Sequence, residues 1–413
     1  MRLKLREGLL YWGLRLKRAL DRRPRDPAEL GSSHIHRILA ISNTALGDTL
    51  LSTPGLRALR TAYPDAHLTL VAHPSLAELF AGVEGVDAVV PYAGKWRGFW
   101  RALRALRQQA RRVSGGTSAD YDLAAIFHGN EPQVTPLAYL SGARFIFKLP
   151  NTNRFRFLLA NPEPLLGWDD LGHGVDQRLA VAGLACGKPP CLPAPPLGTP
   201  SLEALRRMSV PRHAAGAAAV SQALARLGWQ ERRLIALQPG ASTNSRRWPR
   251  SRFIAAARQL AANHPALRFV VTGSPAEAAL CREVADGINA GRAPADEALA
   301  WASAGDLPLT ALPGLFARCQ GVVSGDTGPM HLAVTVDTPV VALFAVSDPA
   351  RSGPAYDLDR HIVIRKWRTC TPCLSKRCPY AEPICMNNIS VDEVVDAVDT
   401  LLCRTAPVPE THG

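Results

Sequence analysis

The chain has 413 residues, 47% hydrophobic and 20% charged, which is enough for two or three domains with ordinary cores. No apolar run approaches the roughly 20 residues that a membrane-spanning helix needs. The net charge of +13 is local: residues 1–25 and 95–112 carry +7 each and the remainder sums to −1, which argues against a general nucleic-acid coat and for two contacts with something anionic.

At the N-terminus, MRLKLREGLLYWGLRLKRAL is broken by Arg15 and lacks a small-residue cleavage site. It does not read as a signal peptide, and the cytoplasm is the expected compartment. Leu5, Leu9, Trp12, Leu16 and Leu20 recur at helical spacing among Lys4, Arg15, Lys17 and Arg18. That spacing predicts a basic amphipathic helix, which lies on an anionic membrane surface or docks its stripe on its own protein.

The first half then alternates strands with helices. Strands are predicted at 37–42, 68–72, 86–91, 122–127 and 143–148, with a helix from about Pro54 capped by Thr53 between the first two. Such units in series imply a parallel sheet. The first strand runs into ISNTALGDTLLSTP, where Gly47 is the turn residue, Gly47 and Asp48 open a helical pattern, and Asp48 stands at the strand-end mouth, the place where α/β sheets bind ligands. There Asp48 is a helix cap or a general base. In the second basic patch, residues 95–112, Trp96, Phe99 and Trp100 alternate with arginines; it is a phosphate or headgroup contact, or a charged exposed helix.

The Pro-rich stretch GKPPCLPAPPLGTP, 187–200, reads as a linker or domain rim, followed by an Ala-rich helix at 213–227. The alternation restarts with strands at 234–238, 267–272, 321–324, 339–344 and 361–365, and helices at 250–262, 275–286, 312–319 and 328–336. The domains expected are a basic arm (1–33), a first doubly wound domain (34–195), a linker and helix (196–230), a second doubly wound domain (231–365), and a Cys-rich loop with a C-terminal helix (366–413). Ser390 and Glu393 predict a capping box for that last helix.

In the second half, VVSGDTGPMHLAV runs strand, Gly325–Asp326–Thr327–Gly328–Pro329, helix. Pro329 suits a first helical turn, and the free N–H groups there favour an anion such as a diphosphate. Asp326 suits sugar hydroxyls, and His331 shares the face of Thr327; otherwise Asp326 is an N-cap and His331 a core residue. LQPGASTNSRRWP offers Ser242 and Thr243 to phosphate oxygens, and Arg246 or Arg247 to the charge on a leaving diphosphate. Glu277, in VVTGSPAEAAL, is placed to accept a ribose hydroxyl or to favour a helix N-terminus. Cys370, Cys373, Cys378 and Cys385 cluster as a structural metal loop or as reduced thiols.

Together, ISNTALGDTLLSTPGLRALRTAYPDAHLTLVAHP, LQPGASTNSRRWPRSRF, SGDTGPMHLAVTVDTPVVALF and the Cys-rich tail resemble glycosyltransferase family 9, the lipopolysaccharide heptosyltransferases. The resemblance implies a GT-B fold: two Rossmann-like domains, the first for the acceptor and the second for a nucleotide sugar. It implies ADP-heptose as donor and a lipid-linked core saccharide at the cytoplasmic face of the inner membrane as acceptor, with no cofactor required. The family's catalytic acid matches Asp48. Its donor contacts match Ser242, Thr243, Arg246 or Arg247, Asp326, Thr327, Gly328 and His331. Asp48→Asn is then expected to collapse turnover and leave folding nearly intact. The competing readings are a GT-B-fold nucleotide-sugar epimerase or hydrolase, and a non-catalytic membrane-associated binding protein. A nucleic-acid partner is not expected.

Overall fold

The computed structural model describes residues 5–23, 26–187, 200–293, 296–367, 369–370, 373 and 378–405. The chain divides into two compact units, Met1–Pro211 and Arg212–Gly413.

In the first unit, β1 (Arg37–Ser42), β2 (His67–Ala72), β3 (Ala88–Pro91), β4 (Leu123–His128) and β5 (Phe145–Lys148) form one parallel sheet, ordered β3-β2-β1-β4-β5. The strands are near-continuous apolar runs, as a parallel sheet covered on both faces requires. Its helices are α1 (Leu5–Leu20), α2 (Leu46–Ala62), α3 (Phe99–Val113), α4 (Val134–Leu140), α5 (Gly174–Ala185) and α6 (Pro200–Arg206). Strand order reverses between β1 and β4, so the carboxyl ends of these two strands flank the switch point where such sheets open a crevice. The pairing slips by one residue there, and Ser42 opposes His128.

Helix α2 begins at Leu46, next to the helical pattern that opens at Gly47 and Asp48 and well before the start expected at Pro54. Gly47 is therefore not a turn residue but lies buried in the first helical turn. Pro54 sits inside the helix, and its missing N–H leaves the Leu50 carbonyl without its usual donor. The Thr53 hydroxyl donates to that carbonyl (2.8 Å), so Thr53 repairs the helix instead of capping it.

Helix α1 has two apolar faces. Leu14 is buried, Leu10 and Tyr11 pack on the unit's core, and the Tyr11 ring meets Phe155 and Phe157. The stripe picked out from the sequence is the other face: Leu9, Trp12, Leu16 and Leu20 are 64–73% exposed. Lys4 and the Leu5 side chain lie outside the described residues. Helix α3 buries Phe99, Ala102, Leu103, Leu106 and Ala110, leaving Trp100 and its arginines outward.

Most of the Pro-rich stretch, residues 188–199, lies outside the described residues. Beyond it, residues 200–211, part of the expected linker, sit on the first unit. Arg206, wholly buried, ion-pairs with Asp176 of α5 (2.8 Å), and the Ser209 N–H donates to the Thr53 hydroxyl (2.9 Å).

The second unit repeats the plan. Strands β6 (Arg233–Gln238), β7 (Leu267–Val271), β8 (Ala300–Ala302), β9 (Gly321–Gly325), β10 (Val340–Phe344) and β11 (Ile362–Arg365) form a parallel sheet ordered β11-β10-β9-β6-β7-β8, with its switch between β6 and β9. Strand β8 has no counterpart in the sequence reading: three residues are too few to show a periodicity. The helices are α7 (Ala214–Leu227), α8 (Arg250–Asn263), α9 (Ala278–Asn289), α10 (Leu312–Ala317), α11 (Gly328–Thr335), α12 (Pro349–Ser352), α13 (Ile384–Asn387) and α14 (Val391–Thr405). Val394, Val395, Val398, Leu401 and Leu402 of α14 join this unit's core. The capping box forms, with the Glu393 N–H donating to Ser390 Oγ (3.1 Å) and the Ser390 N–H to Glu393 Oε2 (2.9 Å).

Candidate functional site

Candidate residues gather at the switch point of each sheet. In the first unit, Asp48 stands in the first turn of α2, directly after β1. Ala45, which has no side-chain oxygen, is the N-cap residue there, so Asp48 is not the N-cap of this helix. Arg178 of α5 donates from Nη2 to Asp48 Oδ1 (3.1 Å), and the Thr44 hydroxyl donates to Oδ2 (2.8 Å). Arg178 is 3% exposed and also donates to the Gly174 carbonyl and Gln177 Oε1. Burial pulls its guanidinium below the usual value, and Asp48 pulls it back.

Thr44 Oγ1 also lies 2.8 Å from His128 Nδ1. A hydroxyl has one proton and a carboxylate only accepts, so Thr44 gives its proton to Asp48 and receives one from His128 Nδ1–H. His128 is neutral at physiological pH. Burial pushes its pKa down to about 4; Arg178 and Lys148 add to this and Asp48 opposes it. The result is a directed chain, His128 to Thr44 to Asp48, with a buried cation on the other carboxylate oxygen.

The sequence reading found Asp48 but not Thr44, His128, Arg178 or Trp168, which packs 6.1 Å (ring centroids) from His128. One signal was available: a polar residue, His128, at the carboxyl end of an otherwise apolar strand. Arg178 follows Asp176 and Gln177 in its helix, so its own neighbourhood does not single it out. Nothing local marks Trp168.

In the second unit, the loops after β6 and β9 lie against each other. A Cβ on Gly325 would stand 2.7 Å from the Arg246 carbonyl oxygen, so only glycine fits this approach. Arg246 Nη1 pairs with Asp326 Oδ2 (3.4 Å). Arg247 turns back and donates twice to the Ala241 carbonyl (3.1 and 2.9 Å). The two arginines, indistinguishable in register from sequence, thus have different partners. Thr243 Oγ1 is within hydrogen-bond distance of Ser245 Oγ (3.2 Å), and Ser242 is in the same loop.

Thr327, not Asp326, is the N-cap residue of α11; its hydroxyl meets Ser324 Oγ (2.9 Å) and leaves the first amides of the helix without a side-chain cap bond. Gly328 opens the helix, Pro329 follows, and His331 is buried one turn on. Glu277 forms a capping box with Ser274, and its other oxygen lies against Gly240, where a Cβ would come within 2.0 Å. Ser242, Thr243, Arg246, Asp326, Thr327, Gly328 and Glu277 therefore all flank the ends of β6, β7 and β9.

Among the cysteines, Cys385 is buried and Cys370, Cys373 and Cys378 are half-buried. Burial raises the Cys385 thiol, and backbone hydrogen bonds at Met386 and Cys385 offset part of that rise. Among the described residues no group of three or more His, Cys, Asp or Glu side chains is arranged to hold a metal ion. No described helix is long and apolar enough to cross a membrane.

A family model, glycosyltransferase family 9 (heptosyltransferase), matches residues 197–383. The lipooligosaccharide heptosyltransferase 2 of Campylobacter jejuni is 25% identical over 172 residues, covering 41% of this chain and about half (51%) of that protein. The lipopolysaccharide heptosyltransferase 2 of Salmonella typhimurium is 26% identical over 328 residues, covering 77% of this chain and 85% of that protein. Among solved structures, the E. coli ADP-heptose lps heptosyltransferase II superposes with a TM-score of 0.66 at 20% identity, over 89% of this chain and 99% of that one. That likeness, with two parallel-sheet α/β units, gives the fold as GT-B.

Proposed function

We propose that the chain is a member of glycosyltransferase family 9, whose model matches residues 197–383, and an inverting transferase moving heptose from ADP-heptose to a lipopolysaccharide core saccharide. The observation that carries this reading is the pairing of chemistries at the two switch points: a carboxylate held by Arg178 and Thr44 in one sheet, and an anion-favouring helix N-terminus beside Arg246 in the other.

In the proposed reaction, Asp48 takes the proton of an acceptor hydroxyl as its oxygen attacks the anomeric carbon. The bond from that carbon to the diphosphate breaks, and the nucleoside diphosphate leaves with the electron pair. The amides at Thr327 and Gly328, the hydroxyls of Ser242 and Thr243, and Arg246 receive its charge. Asp326 and His331 contact the sugar, and Glu277 the ribose. One displacement inverts the anomeric centre. The reaction as written needs no cofactor. For the four cysteines, elemental analysis of protein purified without chelator separates a structural metal from reduced thiols.

The acceptor is lipid-linked and anionic, and we place the protein on the inner face of the bacterial inner membrane, held by α1. Its inner face docks on the protein, while Leu9, Trp12, Leu16 and Leu20 form an exposed stripe amid Arg15, Lys17 and Arg18, the pattern of an interfacial helix.

The test is release of nucleoside diphosphate from ADP-heptose with and without lipid acceptor. Acceptor-dependent release supports transfer. Equal release without acceptor supports a hydrolase, and no release in either case supports a non-catalytic binding protein.

A further inference from the structure

The segment joining β5 to α5 has a fixed backbone and an exposed aromatic side chain. Asn151, buried, donates from Nδ2 to the carbonyls of Asn161 (2.8 Å) and Pro164 (2.9 Å), and its Oδ1 accepts the Leu166 N–H (2.8 Å). Asn161 is bound in turn to the Lys148 backbone at the end of β5, accepting its N–H (3.3 Å) and donating to its carbonyl (3.0 Å). The Gly167 N–H donates to Asp170 Oδ2 (2.7 Å), closing a turn over Trp168–Asp170, and Leu171 is buried beyond it. Within this fixed turn Trp168 is 54% exposed.

The core does not need that indole, since Leu171 already anchors the turn. What the fixed backbone achieves is the placement of a flat apolar face beside the chain His128–Thr44–Asp48. The segment then continues directly into α5, which carries Arg178 to the other oxygen of Asp48. Residues 166–178 thus supply both the exposed ring and the cation that orients the carboxylate. A large aromatic side chain fixed at a polar mouth suits a ligand with one apolar face and many hydroxyls, which describes a pyranose ring.

We propose that Trp168, backed by His128, is the platform on which the acceptor sugar ring lies while its hydroxyl faces Asp48. This deepens the transferase reading and rests on it. The probe is a deacylated lipopolysaccharide core oligosaccharide, with ADP-heptose as donor. Trp168→Ala should raise the acceptor KM about tenfold or more, leaving the donor KM and thermal midpoint within experimental scatter, and Trp168→Phe should recover most of the loss. An acceptor KM within twofold of wild type in Trp168→Ala overturns the platform. Binding is read separately by tryptophan emission. Oligosaccharide should change the emission of the wild type, and Trp168→Phe should lose most of that change. If the wild type transfers nothing, the transferase reading fails by itself. The emission titration then still decides: a saccharide response lost in Trp168→Phe upholds the platform, and a response retained or absent throughout overturns it.

Discussion

The Asp48 carboxylate shows how a catalytic assignment and a stability assignment become linked at one residue. From sequence, Asp48→Asn is expected to be silent in folding. The structure changes that expectation, because Arg178 is buried and Asp48 is its charged partner. Removing one member of such a pair leaves an uncompensated charge, at a cost of about 3–5 kcal/mol for a fully buried pair; Asp48 is 26% exposed, so the loss should fall below that range. We therefore expect Asp48→Asn to lose about 10²–10⁴-fold in turnover together with a measurable drop in denaturation midpoint, and Asp48→Asn/Arg178→Met to regain the midpoint but not the turnover. Turnover near wild type in Asp48→Asn would remove the base from the mechanism. Two histidines give a second residue-scale prediction. Burial lowers His128, and His361 beneath β10 and β11, to about 4, from about 6.5 in an unfolded chain. Above pH 6.5 neither state is charged and stability is full. Between 6.5 and 4 the unfolded chain binds protons that the folded chain does not, so stability falls as pH falls. Each histidine accounts for up to about 2 kcal/mol between pH 7 and pH 5. Melting curves across that range should show the fall, and His361→Asn should remove about half of it; an unaltered acid slope would count against this account.

At the scale of elements, α2 shows why sequence patterns place strands better than helix starts. The strand at 37–42 is legible to the residue because an apolar run bounded by polar residues has one reading. The helix after it contains Pro54, which ordinarily marks a first turn, so its true start at Leu46 is concealed by a repair that only three dimensions reveal. Thr53→Val tests that repair. It strips the Leu50 carbonyl of its donor and the Ser209 N–H of its acceptor, and should cost roughly 1–3 kcal/mol, seen as a lower urea midpoint with an unchanged slope. The candidate site divides in the same manner. Asp48, Asp326 and the Ser242–Thr243 loop stand in contiguous motifs and could be read off. Thr44 lies four residues before Asp48 and is a local partner, whereas His128, Arg178 and Trp168 join it only because β1 neighbours β4 and α5 returns beneath Asp48, pairings that no local window contains. Arg246 and Arg247 were separable only once each had a visible partner.

For the whole molecule, the charge map makes a prediction that either sheet alone does not. Nearly all of the surplus charge lies in residues 1–25 and 95–112, both on the first unit, and the rest of the chain is close to neutral. Binding to vesicles containing anionic lipid should therefore be strong at low salt and weaken steeply between 50 and 300 mM, as exposed charges are screened beyond about a Debye length. Vesicles of zwitterionic lipid should bind far less. Replacing Leu9, Trp12, Leu16 and Leu20 by serine should abolish the anionic-vesicle binding without shifting the thermal midpoint, since these side chains face outward; retained binding would remove α1 from the contact.

The loop that carries Ser242 to Arg247 takes its shape from a distant part of the chain. Asn244 donates to the carbonyls of Tyr380 and Ala381 (2.9 and 2.8 Å), and the Trp248 indole donates to that of Ile389 (3.0 Å). During synthesis, β6 and its loop leave the ribosome well over a hundred residues before those carbonyls exist. A nascent chain can build most of its second sheet and still lack the brace for this loop, so a stretch translated much later completes a surface encoded well over a hundred residues before it.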